Sequence, residues 1–334
     1  MFSSLQDSKN HITRTDARAA PVRRAAKQTL PPPGRLSGRG SRRPRRGAHA
    51  DIITKLGRSL IHHGPHNDRI FLYHLDEADL PGITDRLSAL AGDRGYSRIF
   101  ARIPAPARDH FVARGYASGA CLPGLFRGRV DGYYMAKYLD APGIDTAGID
   151  EVLTVAREKA RAGAAEMVIG PDFTATPATP GDAPALASIY REVFETYPVP
   201  IHDPAYLAGE MQKNLRCFCI RGSGDRIASV AAAEVDSAGK FAEMTGFATV
   251  PGYRGRGFAG YLLQRMEGEV RSVGVRTAFA IARACSPPAN ITFARAGYTY
   301  AGTLPESVNI CGSLEDMNFW HKTLTDTEVA PSSG

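Results

Sequence analysis

The 334-residue chain has little of what would staple, anchor or load a protein with metal. Its five cysteines (Cys121, Cys217, Cys219, Cys285 and Cys311) form no Cys-x-x-Cys pair. An odd and sparse count of this kind suits reduced thiols and a cytoplasmic location better than a disulfide framework. Zinc is not expected, nor any other metal. His62, His63 and His66 cluster in sequence, but Gly64 and Pro65 break any helix that would align them, and no acidic partner has suitable spacing. No apolar run approaches the length of a membrane span, so no membrane partner is expected. There is no Gly-Lys-Ser/Thr ending of a P-loop, so that nucleotide cradle is absent.

What is present falls into two unlike parts. Residues 1–50 hold 12 of the 41 Lys and Arg residues and only Asp7 and Asp16 among the acids, and they show no apolar periodicity. Composition predicts a disordered basic leader, either a functionless extension or the product of an early start. It lacks the apolar centre of a secretory signal. No aromatic residue interleaves its arginines after Phe2, so nucleic acid is not expected as a partner. Without the leader, the overall charge of +7 becomes mildly negative.

The stretch Phe241–Gly260 carries the chemistry. Residues 241–250 alternate like a strand, with Phe241, Glu243, Thr245, Phe247 and Thr249 expected on one face. Pro251 ends the strand. Ala259, Leu262, Leu263, Met266 and Val270 then recur at helical spacing. Between strand and helix lies Arg254-Gly255-Arg256-Gly257-Phe258-Ala259. Small residues let a ligand approach the backbone, and the first amides of a helix carry partial positive charge with no internal partner. With two arginines beside them, these features read as a pyrophosphate cradle.

That turn resembles the (Gln/Arg)-x-x-Gly-x-(Gly/Ala) signature of the GNAT acetyltransferases, met here by Arg254, Gly257 and Ala259. Two further stretches add to the likeness. Phe241-Ala242-Glu243-Met244 is similar to the strand on which several GNAT enzymes carry a general-base glutamate. Phe293-Ala294-Arg295-Ala296-Gly297-Tyr298 is similar to their Tyr-x-x-x-Gly-(Phe/Tyr) segment. The resemblance implies an α/β GNAT fold with a mixed, mostly antiparallel sheet, and acetyl-CoA as co-substrate. Thr249, Val250, Arg254, Gly255, Arg256, Gly257, Phe258 and Ala259 would hold it, with an oxyanion donor from the backbone of Thr249 or Val250. Glu243 would accept the proton of the attacking amine, directly or through water. The chain departs from the pattern at Phe293, where a tyrosine general acid is usual, and at Ser286, where an asparagine is usual. Solvent, Tyr298 or Tyr300 could supply the proton instead.

Three more stretches, His63–Ile70, Glu195–Pro204 and Asn290–Tyr298 continuing through Asn309–Gly312 to Asn318, resemble the β-lysine N-acetyltransferase family over residues 51–324. That resemblance implies acetylation of the terminal amine of β-lysine to give the osmolyte Nε-acetyl-β-lysine. Tyr197, Asp203, Asn309 and Asn318 are the substrate-binding candidates, and Asp68 and Arg69 would join them only if the N-terminal half leans over the cleft. Another small amine or a protein amine remains open as substrate. So does a different class of protein, a silent acyl-CoA sensor whose basic leader contacts nucleic acid. A homodimer is also open.

Phe111–Tyr116 matches Phe293–Tyr298, and Leu122-Pro123 matches Leu304-Pro305, both 182 residues apart. The expected organisation is therefore a leader (1–50), a degenerate GNAT-like domain without the Arg-x-x-Gly-x-Ala turn (51–172), the catalytic GNAT domain (173–325) and a disordered tail (326–334). Residues 51–74 read as a short hydrophobic segment, a turn and one strand. Helices are expected near 78–93, 105–114, 149–164, 181–195, 204–213, 255–272 and 288–296. Strands are expected near 97–103, 116–122, 132–139, 173–178, 215–221, 226–236, 240–250, 277–283, 298–303 and 315–324.

Overall fold

The computed structural model describes residues 51–161 and 168–324. The expected leader and tail, and the end of the helix expected to reach 164, lie outside these residues.

The N-terminal half contains β1 (Ile52–Leu56), β2 (Ser59–Gly64), β3 (Arg69–His74), α1 (Ile83–Arg94), β4 (Arg98–Pro104), α2 (Arg108–Val112), β5 (Ala117–Phe126) and β6 (Val130–Tyr138). A connecting helix, α3 (Thr146–Arg161), follows. The C-terminal half contains β7 (Thr174–Pro177), α4 (Ala183–Val193), α5 (Pro204–Met211), β8 (Leu215–Arg221), β9 (Ile227–Asp236), β10 (Phe241–Thr249), α6 (Phe258–Ser272), β11 (Thr277–Arg283), α7 (Pro287–Arg295), β12 (Thr299–Ile310) and β13 (Ser313–Thr323). Residues 51–74 form three strands where one was expected. The polar pair Gly57-Arg58, with Gly57 at φ 71°, turns β1 back onto β2.

The strands form one sheet in the order β1-β2-β3-β4-β6-β5-β12-β13-β11-β10-β9-β8-β7. Its ladders are antiparallel except β3 with β4 and β10 with β11. The halves repeat one pattern: a parallel pair, then two antiparallel steps outward from it. Their irregularities coincide. β5 slips register between Ser118 and Ala120 and between Leu122 and Phe126; β12 slips between Tyr300 and Gly302 and between Leu304 and Val308. Each of these positions lies 182 residues from its counterpart. The halves meet where Ala120 pairs with Gly302, its own counterpart, so the seam sits on a local two-fold axis.

Side-chain alternation along the strands builds the layers. In β4, Ile99, Ala101 and Ile103 face α1 and α2, whose Leu87, Ala91 and Phe111 are fully buried. The intervening Phe100 joins a central cluster with Tyr134, Phe241, Phe279 and Phe319, which packs the halves together. On the far face of the C-terminal half, Ala242 and Met244 meet Leu262, Leu263, Met266 and Val270 of α6. Ile149, Leu153 and Ala156 of α3 join this same core, so the connecting helix packs with the C-terminal half. Burial on this scale, at roughly 25 cal/mol per Å² of apolar surface, supplies the main stabilisation. No helix among the described residues is long and apolar enough to cross a membrane.

Candidate active site

β10 and β11 pair only from Phe241–Glu243 to Thr277–Phe279, and then part. The cause lies in β10, whose register on β9 slips between Thr245 and Ala248. Gly246 sits in this bulge at φ 62°, a conformation that only glycine adopts freely. A Cβ there would lie 2.8 Å from Tyr190 Oη. The bulge overturns the unbroken alternation expected for residues 241–250. Phe247 turns to the helical face, edge-on to Phe293 at 5.5 Å, while Ala248 joins Tyr190, Val230 and Ala232 on the face of Glu243.

Glu243 pairs directly with Glu234 of β9. Two carboxylates facing each other across a ladder repel. Burial, and then the Glu234 charge, push the Glu243 carboxyl up to about 7; Arg102, a hydrogen bond with Thr245 and Arg69 oppose the rise. Glu234 is held from the other half, because Tyr73 Oη donates to it. Arg102 also arrives from the N-terminal half. Its guanidinium lies over the rings of Tyr73 (4.5 Å) and Phe241 (4.8 Å), and its Nη2 donates to the Tyr73 carbonyl at 2.9 Å.

Both glutamates line a cavity of about 200 Å³ between the halves. Phe71, Tyr73, Tyr134, Tyr197 and Phe319 make its aromatic walls, and Arg69 and His62 lie at its lining on the N-terminal side. A second cavity, of about 260 Å³, shares Tyr73, Glu234 and Glu243 and adds Arg102, Asn214 and Asp236. The N-terminal half thus does lean over the cleft. Arg69 and Arg102 are groups that local sequence reading missed or left conditional, since only the packing of the two halves brings them to Glu243.

The predicted substrate residues divide. Tyr197 lines the cavity, with its hydroxyl 3.2 Å from Thr245 Oγ1 and its phenol pushed up to about 12, chiefly by burial. Asp203 is exposed and caps α5, accepting from Ala205 N at 2.9 Å. Asn318 is fully buried, donating to Asn290 Oδ1 at 3.0 Å and accepting from Thr303 Oγ1 at 2.6 Å. Asn309 is fully buried as well. Its amide donates to the His66 carbonyl (2.9 Å), its Oδ1 accepts from Thr196 Oγ1 (2.8 Å), and its N–H donates to Asn67 Oδ1 (2.9 Å). Asn67 in turn donates to the Pro198 carbonyl at 3.1 Å, and His66 Nε2 lies 3.0 Å from the Tyr197 carbonyl. The stretches 63–70, 195–204 and 309–312 therefore meet in one network behind the cavity wall. His62 and His63 are buried, and His63 Nδ1 lies 3.0 Å from Tyr96 Oη.

At the parted strands, Val250 N–H donates to the Ala228 carbonyl at 3.0 Å. It is therefore committed to the ladder and is not a free oxyanion donor, whereas Thr249 N–H lies on the opposite edge of the strand by alternation. Arg254 Nε donates to the Thr249 carbonyl at 3.2 Å, which ties the turn to the strand end. Arg254, Gly255, Arg256 and Gly257 are all exposed, and space is open beside both glycines. Gly257 leads into α6 at Phe258 with no side-chain cap, so the first amides of the helix face outward, and Arg256 lies over Phe173 at 5.6 Å. This open, cationic, amide-lined turn fits a pyrophosphate. Phe293 is buried against Phe247 and Tyr298. Neither Tyr298 nor Tyr300 lines the cavity; Tyr298 lies against Lys322, and Tyr300 Oη is 2.7 Å from Thr303 Oγ1.

Parted strands with a bulge, an amide-lined helix start and a half-buried carboxylate define an acyltransferase of the GNAT class. The family model described as "Acetyltransferase (GNAT) family", whose members use acetyl-CoA, matches residues 185–298. A β-lysine N(6)-acetyltransferase of Methanococcus maripaludis is 32% identical over 271 residues, 81% of this chain and 98% of that protein. Another, of Methanosarcina mazei, is 35% identical over 152 residues, 46% of this chain and 56% of that protein. The N-acetyltransferase YodP of Bacillus subtilis is 36% identical over 154 residues, with 46% and 56% covered. The chain belongs to the β-lysine N-acetyltransferase family within the GNAT acetyltransferases.

Proposed function

We propose that this chain transfers the acetyl group of acetyl-CoA to the terminal (N6) amine of β-lysine, giving Nε-acetyl-β-lysine, a compatible solute made in the cytoplasm. The observation that carries this reading is the 32% identity that runs through 98% of a β-lysine N(6)-acetyltransferase and so includes the N-terminal half that roofs the cavity. Acetyl-CoA supplies an activated acyl thioester. Arg254 and Arg256, with the backbone of Gly255, Gly257, Phe258 and Ala259, hold its pyrophosphate, and Thr249 N–H faces the gap where the thioester oxygen lies.

A primary ammonium with a pKa of about 10.4 must lose a proton before it attacks. Glu243 accepts that proton. A carboxylate with its pKa near 7 is half-ionised at neutral pH and still basic enough to take it. The aromatic walls hold the methylene chain of the substrate and limit water around the reacting amine. Thiolate is a good leaving group, so a phenylalanine at position 293 is compatible with turnover.

The N-terminal half reads as a degenerate GNAT-like copy. Following the ladders outward, the rung of Glu243 (Glu243–Phe279–His321) corresponds to Phe71–Phe100–Ala136. Phe71 thus stands where the base would be, and this half keeps only a structural and substrate-facing role.

The test is acetyl-CoA consumption with β-lysine, α-lysine, ornithine, a polyamine and a lysine peptide, with the product mapped by mass spectrometry. Selective acetylation of β-lysine at N6 is expected. Turnover confined to the polyamine or peptide, or acetyl-CoA binding with no turnover at all, rejects the reading.

A further inference from the structure

We propose that Arg69, in the N-terminal half, receives the carboxylate of the acceptor, so that the site selects a free amino acid over a polyamine or a protein side chain. This rests on the reading of Glu243 as the base for a small amine. Arg69 is only 7% exposed and lines the same cavity as Glu243. One terminal nitrogen donates to the Ser307 carbonyl, and its guanidinium lies over Phe71 (5.5 Å) and Phe100 (6.0 Å). Its Nε has no hydrogen-bond partner. Among the described residues, no carboxylate lies within ion-pair distance of it.

The other buried arginines are accounted for from within the protein. Arg98 pairs with Asp68 (3.5 Å) and Glu306 (3.3 Å). Arg102 lies between two rings beside the glutamate pair. Asp51 is near enough for its charge to reach Arg69, but its oxygens accept from His66 N, Asn67 N and Asn67 Nδ2. His62, beside Arg69, is pushed down to about 4 by burial and by the Arg69 charge, and so stays neutral. The Glu243 charge also reaches Arg69, again without an ion pair, so this part of the cavity holds a positive charge with no anion in contact. Burial lowers the Arg69 pKa to about 10, the direction expected of a cation short of a counter-ion.

A buried cation without an anion is costly, and a carboxylate offering charge-assisted hydrogen bonds is the ligand that relieves it. Arg69 on one side and the glutamate pair on the other match a zwitterion with an anionic head and a terminal ammonium. A polyamine would bring ammonium groups to both. A lysine in a protein would bring a neutral amide to Arg69.

The experiment compares β-lysine with pentane-1,4-diamine, which has the same two amines and no carboxylate, on the full chain and on Arg69→Gln and Arg69→Lys. The wild type should favour β-lysine by roughly a hundredfold or more in kcat/KM. Arg69→Gln should lose most of that preference through a raised KM for β-lysine, with turnover of the diamine kept or improved. Arg69→Lys should restore part of it. Equal use of the two amines by the wild type overturns the inference without any variant, as does an unchanged KM for β-lysine in Arg69→Gln. Parallel loss with both amines in both variants, with a lowered melting temperature, marks Arg69 as structural and also overturns it. If the wild type acetylates neither amine, the acetyl-transfer reading falls, and this inference with it.

Discussion

Glu243 and Glu234 face each other across the antiparallel pair of β9 and β10, and Tyr73, from the other half of the molecule, donates a hydrogen bond to Glu234. Burial, and then this pairing, set the pH range in which Glu243 can work. Its pKa, raised to about 7, predicts that kcat at saturating substrates rises with pH through about 7 and then levels off. Replacing Glu234 by Gln removes the repelling charge and leaves an acceptor for Tyr73, so the rising limb should move to lower pH. A limb that stays in place would show that burial alone sets the pKa. The same group affects folding. Its folded pKa lies above its unfolded value of 4.5, so its contribution favours the folded state below that value and is lost as pH rises through about 7.

Glu243→Gln keeps the shape of the side chain and removes the base. Turnover should fall by roughly 10²–10⁴-fold, with the affinity for acetyl-CoA unchanged. Thiol release measures the first and calorimetric titration the second. Retained turnover with the pH limb still present would assign the proton to another group.

Much of this geometry could be read locally. Pro251 ends β10, the apolar spacing of 262, 263, 266 and 270 makes α6, and the Ser237–Lys240 turn makes the β9–β10 hairpin. Each of these signals lies within a few residues of what it specifies. The bulge at Gly246 was not legible, because an alternating pattern runs through it unbroken and only the ladder to β9 reveals the slip. Arg69 and Arg102 could not be assigned for another reason. Their meaning depends on two halves folding onto one seam, where Ala120 meets Gly302. The Asn309 network shows the same limit from the opposite side. Polar residues in a family-like segment suggest ligand contact, whereas Asn309 is buried and bonded to the His66 carbonyl, the Asn67 side chain and the Thr196 hydroxyl, all on loops distant in sequence.

The bulge itself can be tested. Gly246→Ala puts a methyl against the Tyr190 hydroxyl and holds an L-residue at φ 62°. The left-handed conformation alone costs about 1–2 kcal/mol. The melting temperature and kcat should both fall, since the parting of β10 from β11 depends on this turn. Adding Tyr190→Phe removes the oxygen in the way and should recover part of the loss, leaving the backbone strain. No recovery would mean that strain, and not the contact, dominates.

Asn309 and Asp203 are both polar residues of family-like segments, and their surroundings differ: Asn309 is fully buried and Asp203 is exposed. Asn309→Ala would leave the Thr196 hydroxyl without its acceptor and the His66 carbonyl without a donor, both beneath the wall that holds Tyr197. Each group left unpaired in a buried setting costs about 1–3 kcal/mol, so the variant should melt several degrees lower. The KM for the amine should rise, because Tyr197 and Pro198 are held through His66 and Asn67. Asp203→Ala removes an exposed helix cap worth about 1 kcal/mol and touches nothing in the cavity. Its kcat and KM should match the wild type. A raised KM in Asp203→Ala, or an unchanged melting temperature in Asn309→Ala, would return the first to the substrate site and remove the second from the structural network. Thermal melts and initial rates on the same two preparations decide both.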